Sequence, residues 1–297
     1  MFISRTRRFR RVVAALMLFC AFVTLSTIFT QAQIPAARFE HIAINVANPL
    51  DVVKWYTENL GFTVERQGAA PGYSTMIVDS ARNLAIEVYY NAERPLLEPS
   101  KIHHMAMHIA FAGDSILQMK ERLMAHGATL AEAPKTSASG DRVFTLRDPW
   151  GLPIQFVERA KPMLAFKGTY AEHYALNVAD SRAKAKWFVE QLGLTIVREG
   201  KAPSYGMFIA DSSKNLMMEL YQDEKYPALK FSDVDYMTTH LAFIVTDVAA
   251  VKARLVNAGA TVAEEMKQLP NGDTVLMLRD PWGEPVQIVK RVAPFLK

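Results

Sequence analysis

The chain states one sequence twice, in register and without a gap: His41 returns as His173, an offset of 132 residues that every later landmark keeps. His41-Ile-Ala-Ile-Asn-Val46 becomes His173-Tyr-Ala-Leu-Asn-Val178, and Asn83-Leu-Ala-Ile-Glu87 becomes Asn215-Leu-Met-Met-Glu219. His108-Ile-Ala-Phe111 becomes His240-Leu-Ala-Phe243, and Arg147-Asp-Pro-Trp-Gly-Leu-Pro-Ile-Gln155 becomes Arg279-Asp-Pro-Trp-Gly-Glu-Pro-Val-Gln287. A period this long marks two duplicated domains, not a solenoid of short units. Each copy carries His, Glu, His and Gln in that order, side chains that together can ligate a metal.

A length of 297 residues gives each copy room for its own core, and a hydrophobic content of 50% excludes a disordered chain. Residues 1–32 lie outside the repeat and read as an export signal. Arg5, Arg7, Arg8, Arg10 and Arg11 precede an apolar stretch from Val12 to Phe29, and Thr30-Gln31-Ala32 offers the small residues a signal peptidase reads. Cleavage after Ala32 and a periplasmic or secreted location are expected. The apolar stretch just reaches membrane-spanning length, so an uncleaved N-terminal anchor is the alternative.

The formal charge of +4 includes those five arginines, which leaves −1 for the rest of the chain and implies no surface for nucleic acid. Cys20 is the only cysteine, so a cleaved chain has neither a disulfide nor a thiolate to offer a metal.

Within each copy the pattern is a strand, a helix and three strands, and this unit occurs twice. Strand signals cover 39–46, 62–67, 73–79, 84–90, 104–111, 129–133, 142–147 and 152–158. One helix starts at Asn48-Pro49 and stops at Gly61; another runs from Ser115 to His126 and stops at Gly127. Proline-bearing stretches, 91–101 and 160–169, read as linkers, giving domains at 38–160 and 170–292.

Alternation along the strands puts Ile42, Ile44 and Val46 on one face and His41, Ala43 and Asn45 on the other. Glu87 falls with Ala85 and Tyr89, and His108 with Ala106 and Ala110. The large apolar residues would pack under helices. The polar set would share the opposite face with alanines, where small neighbours leave room for a ligand. One buried glutamate on an apolar strand needs a partner, and a divalent cation is a good one.

These segments, with Trp55-Tyr-Thr-Glu-Asn-Leu-Gly61 and the Asp-Pro-Trp-Gly turns at Asp148 and Asp280, resemble the vicinal oxygen chelate superfamily of glyoxalase I, bleomycin-resistance proteins and extradiol dioxygenases. The resemblance covers the chain after residue 38. It implies an α+β fold of two tandem domains, each of paired βαβββ modules forming curved mixed sheets. Bacterial glyoxalase I is the most similar member by ligand position. It implies that His41, Glu87, His108 and Gln155, and likewise His173, Glu219, His240 and Gln287, hold nickel, zinc, iron, manganese or magnesium, with a small molecule as the only partner.

Two departures stand out. Gln155 and Gln287 occupy the place of a glutamate that moves protons in glyoxalase I, and an amide is no general base, so that role would fall to Glu87 and Glu219. Arginines that hold glutathione in that enzyme correspond here to Asn45 and His104, or Asn177 and Tyr236, which disfavours a glutathione adduct. Tyr89, Tyr221, Asn45 and Asn177 are expected in the substrate pocket, with Tyr73 and Tyr205 as further candidates.

Trp150 and Trp282 are expected to pack on the domain rim, and His103 and His126 to have no chemical role. The leading expectation is an exported, metal-dependent lyase or isomerase; an extradiol-type dioxygenase and a non-catalytic binding protein are the alternatives. In bacterial glyoxalase I two chains share each metal. The resemblance therefore implies a monomer whose copies pair like a dimer, His41 and Glu87 meeting His240 and Gln287, unless each copy closes on its own ligands.

Overall fold

The computed structural model describes residues 36–296; the expected export segment lies outside them. The first module is β1 (Arg38–Asn45), α1 (Pro49–Leu60), β2 (Thr63–Gln67), β3 (Thr75–Val78) and β4 (Ala85–Tyr89). The second is β5 (Met107–Ala112), α2 (Ile116–Ala125), β6 (Thr129–Thr136), β7 (Arg142–Arg147) and β8 (Pro153–Glu158). The second copy repeats them as β9 (Tyr170–Asn177), α3 (Ser181–Leu192), β10 (Thr195–Glu199), β11 (Met207–Ala210) and β12 (Met217–Tyr221). Its last module is β13 (Thr239–Ile244), α4 (Val248–Asn257), β14 (Thr261–Gln268), β15 (Thr274–Arg279) and β16 (Pro285–Lys290).

The modules that share a sheet come from different copies. One eight-stranded sheet runs β14-β15-β16-β13-β1-β4-β3-β2 and the other β10-β11-β12-β9-β5-β8-β7-β6. The seams are the antiparallel pairs β1 with β13 and β5 with β9. Each seam joins strands buried along nearly their whole length, and pairing them hides two edges that a single copy would expose. The fold is thus α+β, with the two domains interlocked through their sheets.

The helices follow from local chemistry. Pro49 supplies a preset φ at the first position of α1, and Gly61 and Gly193 end α1 and α3 in the left-handed conformation, φ 70° and 72°, where a side chain would be strained. Under the helices pack Ile42, Ile44, Ile86, Ile109, Phe111 and their counterparts, as alternation requires. Trp150 lies edge-on to Trp55, 6.4 Å between centroids, on the rim of that core. The fifth strand begins at Met107, not 104, because residues 103–106 form a turn closed by the Ala106 N–H on the His103 carbonyl.

Candidate metal centres

Register assembles each site from two rows of residues. Ala43 pairs with Glu87 on one side and with His240 on the other, so these three stand abreast on β4, β1 and β13. In the adjacent row Ala242 is flanked by His41 and Gln287. Neighbouring strands lie about 4.8 Å apart. A ligating side chain thus alternates with a methyl group, and the two alanines leave the space over which four longer side chains lean. The second copy repeats the pattern: Ala175 between Glu219 and His108, Ala110 between His173 and Gln155.

The result is two clusters, His41 with Glu87 and His240, and His173 with Glu219 and His108, each with one ligand atom per residue and all three atoms within 4.8 Å of one another. Both are built across the copies, not within one.

The histidines are oriented for ligation. The Nδ1 atoms of His108 and His240 lie 3.0 Å from the carbonyl oxygens of His104 and Tyr236. A carbonyl can only accept, so Nδ1 carries the proton and Nε2 keeps its lone pair. The Nδ1 atoms of His41 and His173 sit 2.9 Å from carboxylate oxygens of Glu40 and Glu172. All four Nε2 atoms are buried without a hydrogen-bond partner, a cost of about 1–3 kcal/mol each that a bound cation would remove. His173 Nε2 approaches Glu219 Oε2 at 3.1 Å, and His41 Nε2 approaches Glu87 Oε2 at 3.5 Å, without hydrogen-bond alignment. Burial, and then the second imidazole, push His108 and His240 down to about 4, so both are neutral at ordinary pH.

Behind each centre stands a layer that the sequence analysis did not single out. Glu40 receives Arg291 through two hydrogen bonds of 2.8 and 2.6 Å, and Arg291 also reaches Asp273 at 2.9 Å. Glu172, Arg159 and Asp141 repeat the arrangement. Burial alone would raise the Glu40 and Glu172 carboxyls, but the histidine and arginine donors hold both down at about 2. Ionised carboxylates therefore fix the rings of His41 and His173 and make them stronger ligands. The signal was present, since Glu40, Asp141 and Arg159 recur at the same offset as Glu172, Asp273 and Arg291.

Gln287 lines a cleft of about 250 Å³ with Glu87, His240 and Tyr89; Gln155 lines one of about 300 Å³ with Glu219, His108 and Tyr221. The tyrosine hydroxyls donate across the copies to the Met237 and Met105 carbonyls. Asn45 and Asn177 do not belong to the pockets. Asn45 is fully buried, donates to the carbonyls of Asn91 and Pro95 and accepts from the Asn91 N–H; Asn177 does the same for the loop at Asp223 and Tyr226. Their amides are spent on backbone that would otherwise be unpaired. Tyr73 and Tyr205 also lie away from the clefts around the clusters. His126 Nδ1 donates to the Arg122 carbonyl of its own helix, and His103 stacks on His104 and Tyr226.

Comparison with known proteins follows the same lines. Residues 38–156 match the family described as the glyoxalase/bleomycin resistance protein/dioxygenase superfamily, and residues 173–289 match a glyoxalase-like domain. Among solved structures, glyoxalase I from Zea mays is 20% identical over 86% of this chain and 92% of its own, with a TM-score of 0.66. A substituted form of that enzyme gives a TM-score of 0.67 at 20% identity, over 86% of this chain and 94% of its own. A dioxygenase-like protein from Bacillus subtilis is 13% identical over 87% of this chain and 86% of its own, with a TM-score of 0.60. At such identities the likeness concerns the fold. No curated protein matches the chain.

Proposed function

Because the chain belongs to the glyoxalase/bleomycin resistance protein/dioxygenase superfamily, as two tandem vicinal-oxygen-chelate domains, we propose that it is a metal-dependent enzyme of the glyoxalase type, acting on a small molecule that presents two adjacent oxygens. The observation that carries this reading is the set of four buried Nε2 atoms, partnerless and aimed with one glutamate each at two common points. His41, Glu87, His240 and Gln287 would hold one divalent ion, and His173, Glu219, His108 and Gln155 the other. A bound ion would polarise the two substrate oxygens and stabilise the anion left when a proton departs.

The proton falls to the chain's carboxylates. Burial works against the charge of Glu87 and Glu219, but the neighbouring imidazoles outweigh it and keep both below the usual carboxylate range, ready to accept. Either carboxylate could take a proton from one substrate carbon and return it to the next. Gln155 and Gln287 can orient a substrate oxygen but cannot remove its proton. The Glu40 and Glu172 layers keep the rings in place through such a cycle. The arginine-led signal of residues 5–32 supports export, or anchoring, of the chain.

The test has two parts. Untagged protein analysed for metals is expected to hold two ions per chain, one for each cluster. Deuterated solvent should then exchange into the carbinol position of a simple 2-hydroxy ketone, and Glu87→Gln with Glu219→Gln should abolish that exchange. Metal-free protein, or exchange that survives the double substitution, contradicts the reading.

A further inference from the structure

The two clefts share a back wall and differ at the mouth. At the centre of His108, His173 and Glu219, Phe208 stands edge-on to His173, centroids 5.5 Å apart at 82°. Arg198 lays its guanidinium on that ring, 4.2 Å from the centroid, and makes no hydrogen bond or ion pair with any described residue. Its planar fork of donors is thus held in place with nothing on it. Stacking of this kind fixes the guanidinium while leaving its edge free for a planar anion.

The acidic groups of the same cleft are engaged elsewhere: Glu132 with Lys135, Asp141 with Arg159, and Asp223 with the N–H of Lys225. A second polar group, beside the cleft and not in its lining, is also unclaimed. Thr145, the cross-strand neighbour of Gln155, is fully buried and its Oγ1 has no partner.

At the other centre the ring and the hydroxyl are both replaced. Met76 stands for Phe208 and Met277 for Thr145, directly across from Gln287. Leu269 replaces Ser137, beside Val275, whose counterpart Val143 is unchanged in the first cleft. Arg66 corresponds to Arg198, but no ring of a described residue lies beneath it, and it leans to Asp273 at 3.9 Å.

We propose that the two centres take different ligands: the one at His108, His173 and Glu219 takes a chelating molecule with a carboxylate seated on Arg198, and the one at His41, Glu87 and His240 takes a chelating molecule with an apolar tail seated on Met277, Leu269 and Val275. This rests on the metal reading above. The free stacked guanidinium and the Ser137 hydroxyl penalise an apolar tail in the first cleft, and the wall of Met277 and Leu269 penalises an anion in the second.

Two probes separate the clefts, benzohydroxamate and the monohydroxamate of succinic acid. Both chelate through adjacent oxygens, and they differ in tail. Each is titrated calorimetrically into the Zn²⁺-loaded full chain, with metal content measured on the same sample. Arg198→Gln should weaken the succinyl probe about tenfold or more and leave benzohydroxamate unchanged, the loss expected for a hydrogen-bonded charge pair. Arg66→Gln should leave the succinyl probe unchanged, and Met277→Thr should weaken benzohydroxamate. Two ions per chain with a succinyl affinity indifferent to Arg198→Gln, or equally sensitive to Arg66→Gln, overturns this proposal alone. A chain that takes up no metal overturns both it and the reading on which it rests.

Discussion

The two centres of this molecule are one design executed twice, and the positions where the executions agree differ in kind from those where they diverge. Agreement covers what ligation requires: the Ala-spaced rows, the four Nε2 atoms, one glutamate each, and the carboxylate and arginine behind each first histidine. Divergence falls on residues in and beside the cleft walls, Leu269 against Ser137, Met277 against Thr145 and Met76 against Phe208, and on one carboxylate contact. Ser74 Oγ donates to Glu87 Oε1 at 2.6 Å, whereas Gly206 stands in its place beside Glu219. Geometry for a cation tolerates little change, while the walls of a cleft can vary without disturbing it.

The comparison extends beneath the helices, where one buried acid is solved in two ways. Asp148 accepts from the Tyr56 hydroxyl at 3.1 Å; in the second copy Phe188 stands at the tyrosine's position, and the counterpart Asp280 is met instead by Lys184, which also reaches Glu284, both at 2.7 Å. Val52 and Leu152 hold the positions of Lys184 and Glu284 in the first copy.

The largest effect is expected from the layer the centres share. Arg291→Met strands the buried Glu40 carboxylate, and Arg159→Met strands Glu172. Each should cost about 3–5 kcal/mol of stability, read as a fall in Tm. If only one substitution is costly, the two centres are not built alike.

A smaller effect should follow from giving the second copy the first copy's solution. Lys184→Val with Phe188→Tyr and Glu284→Leu replaces three buried charges by one hydrogen-bonded acid, and is expected to be neutral or to stabilise by up to about 4 kcal/mol in chemical denaturation. The pH dependence sharpens this. Burial, against the pull of Lys184, pushes Glu284 up to about 7, from about 4.5 when unfolded. Between those values the native state holds the extra proton, so this group makes stability fall as pH rises from about 4.5 to 7. The triple variant should lose that slope; a slope unchanged would assign it elsewhere.

The smallest effect concerns the carboxylate tether. A Cβ at Gly206 meets nothing within 4 Å, so Gly206→Ser fits and should hold Glu219 as Ser74 holds Glu87. Gly206→Ser is expected to tighten metal at its centre, and Ser74→Gly to loosen it at the other, each by about 1 kcal/mol or roughly fivefold in Kd by calorimetry. Equal affinities in all variants would show the tether to be idle.

Much of this was legible in the sequence because it depends on period and identity. Alternation placed His41, Glu87 and His108 on the alanine face, and Pro49 and Gly61 marked the ends of α1 within a residue. Asn45 and Asn177 were misread because a face assignment says which way a side chain points, not how far a later loop will come to meet it; the loops at Asn91 and Asp223 take those amides. Glu40 and Glu172 escaped notice for a related reason. Strict alternation would put them on the opposite side of β1 and β9 from His41 and His173, but the register shifts at Glu40 and Glu172 break the alternation, and the seam between copies brings Arg291 and Arg159 to them.

The central claim, that each centre takes its histidines from both copies, is tested most directly by counting metal in two double variants. His41→Ala with His240→Ala damages one centre twice, and should leave one ion per chain by elemental analysis. His41→Ala with His108→Ala damages both centres once, and should leave none. The reverse pattern, with the ion lost from the first variant and one ion kept in the second, would mean that each copy closes on its own ligands.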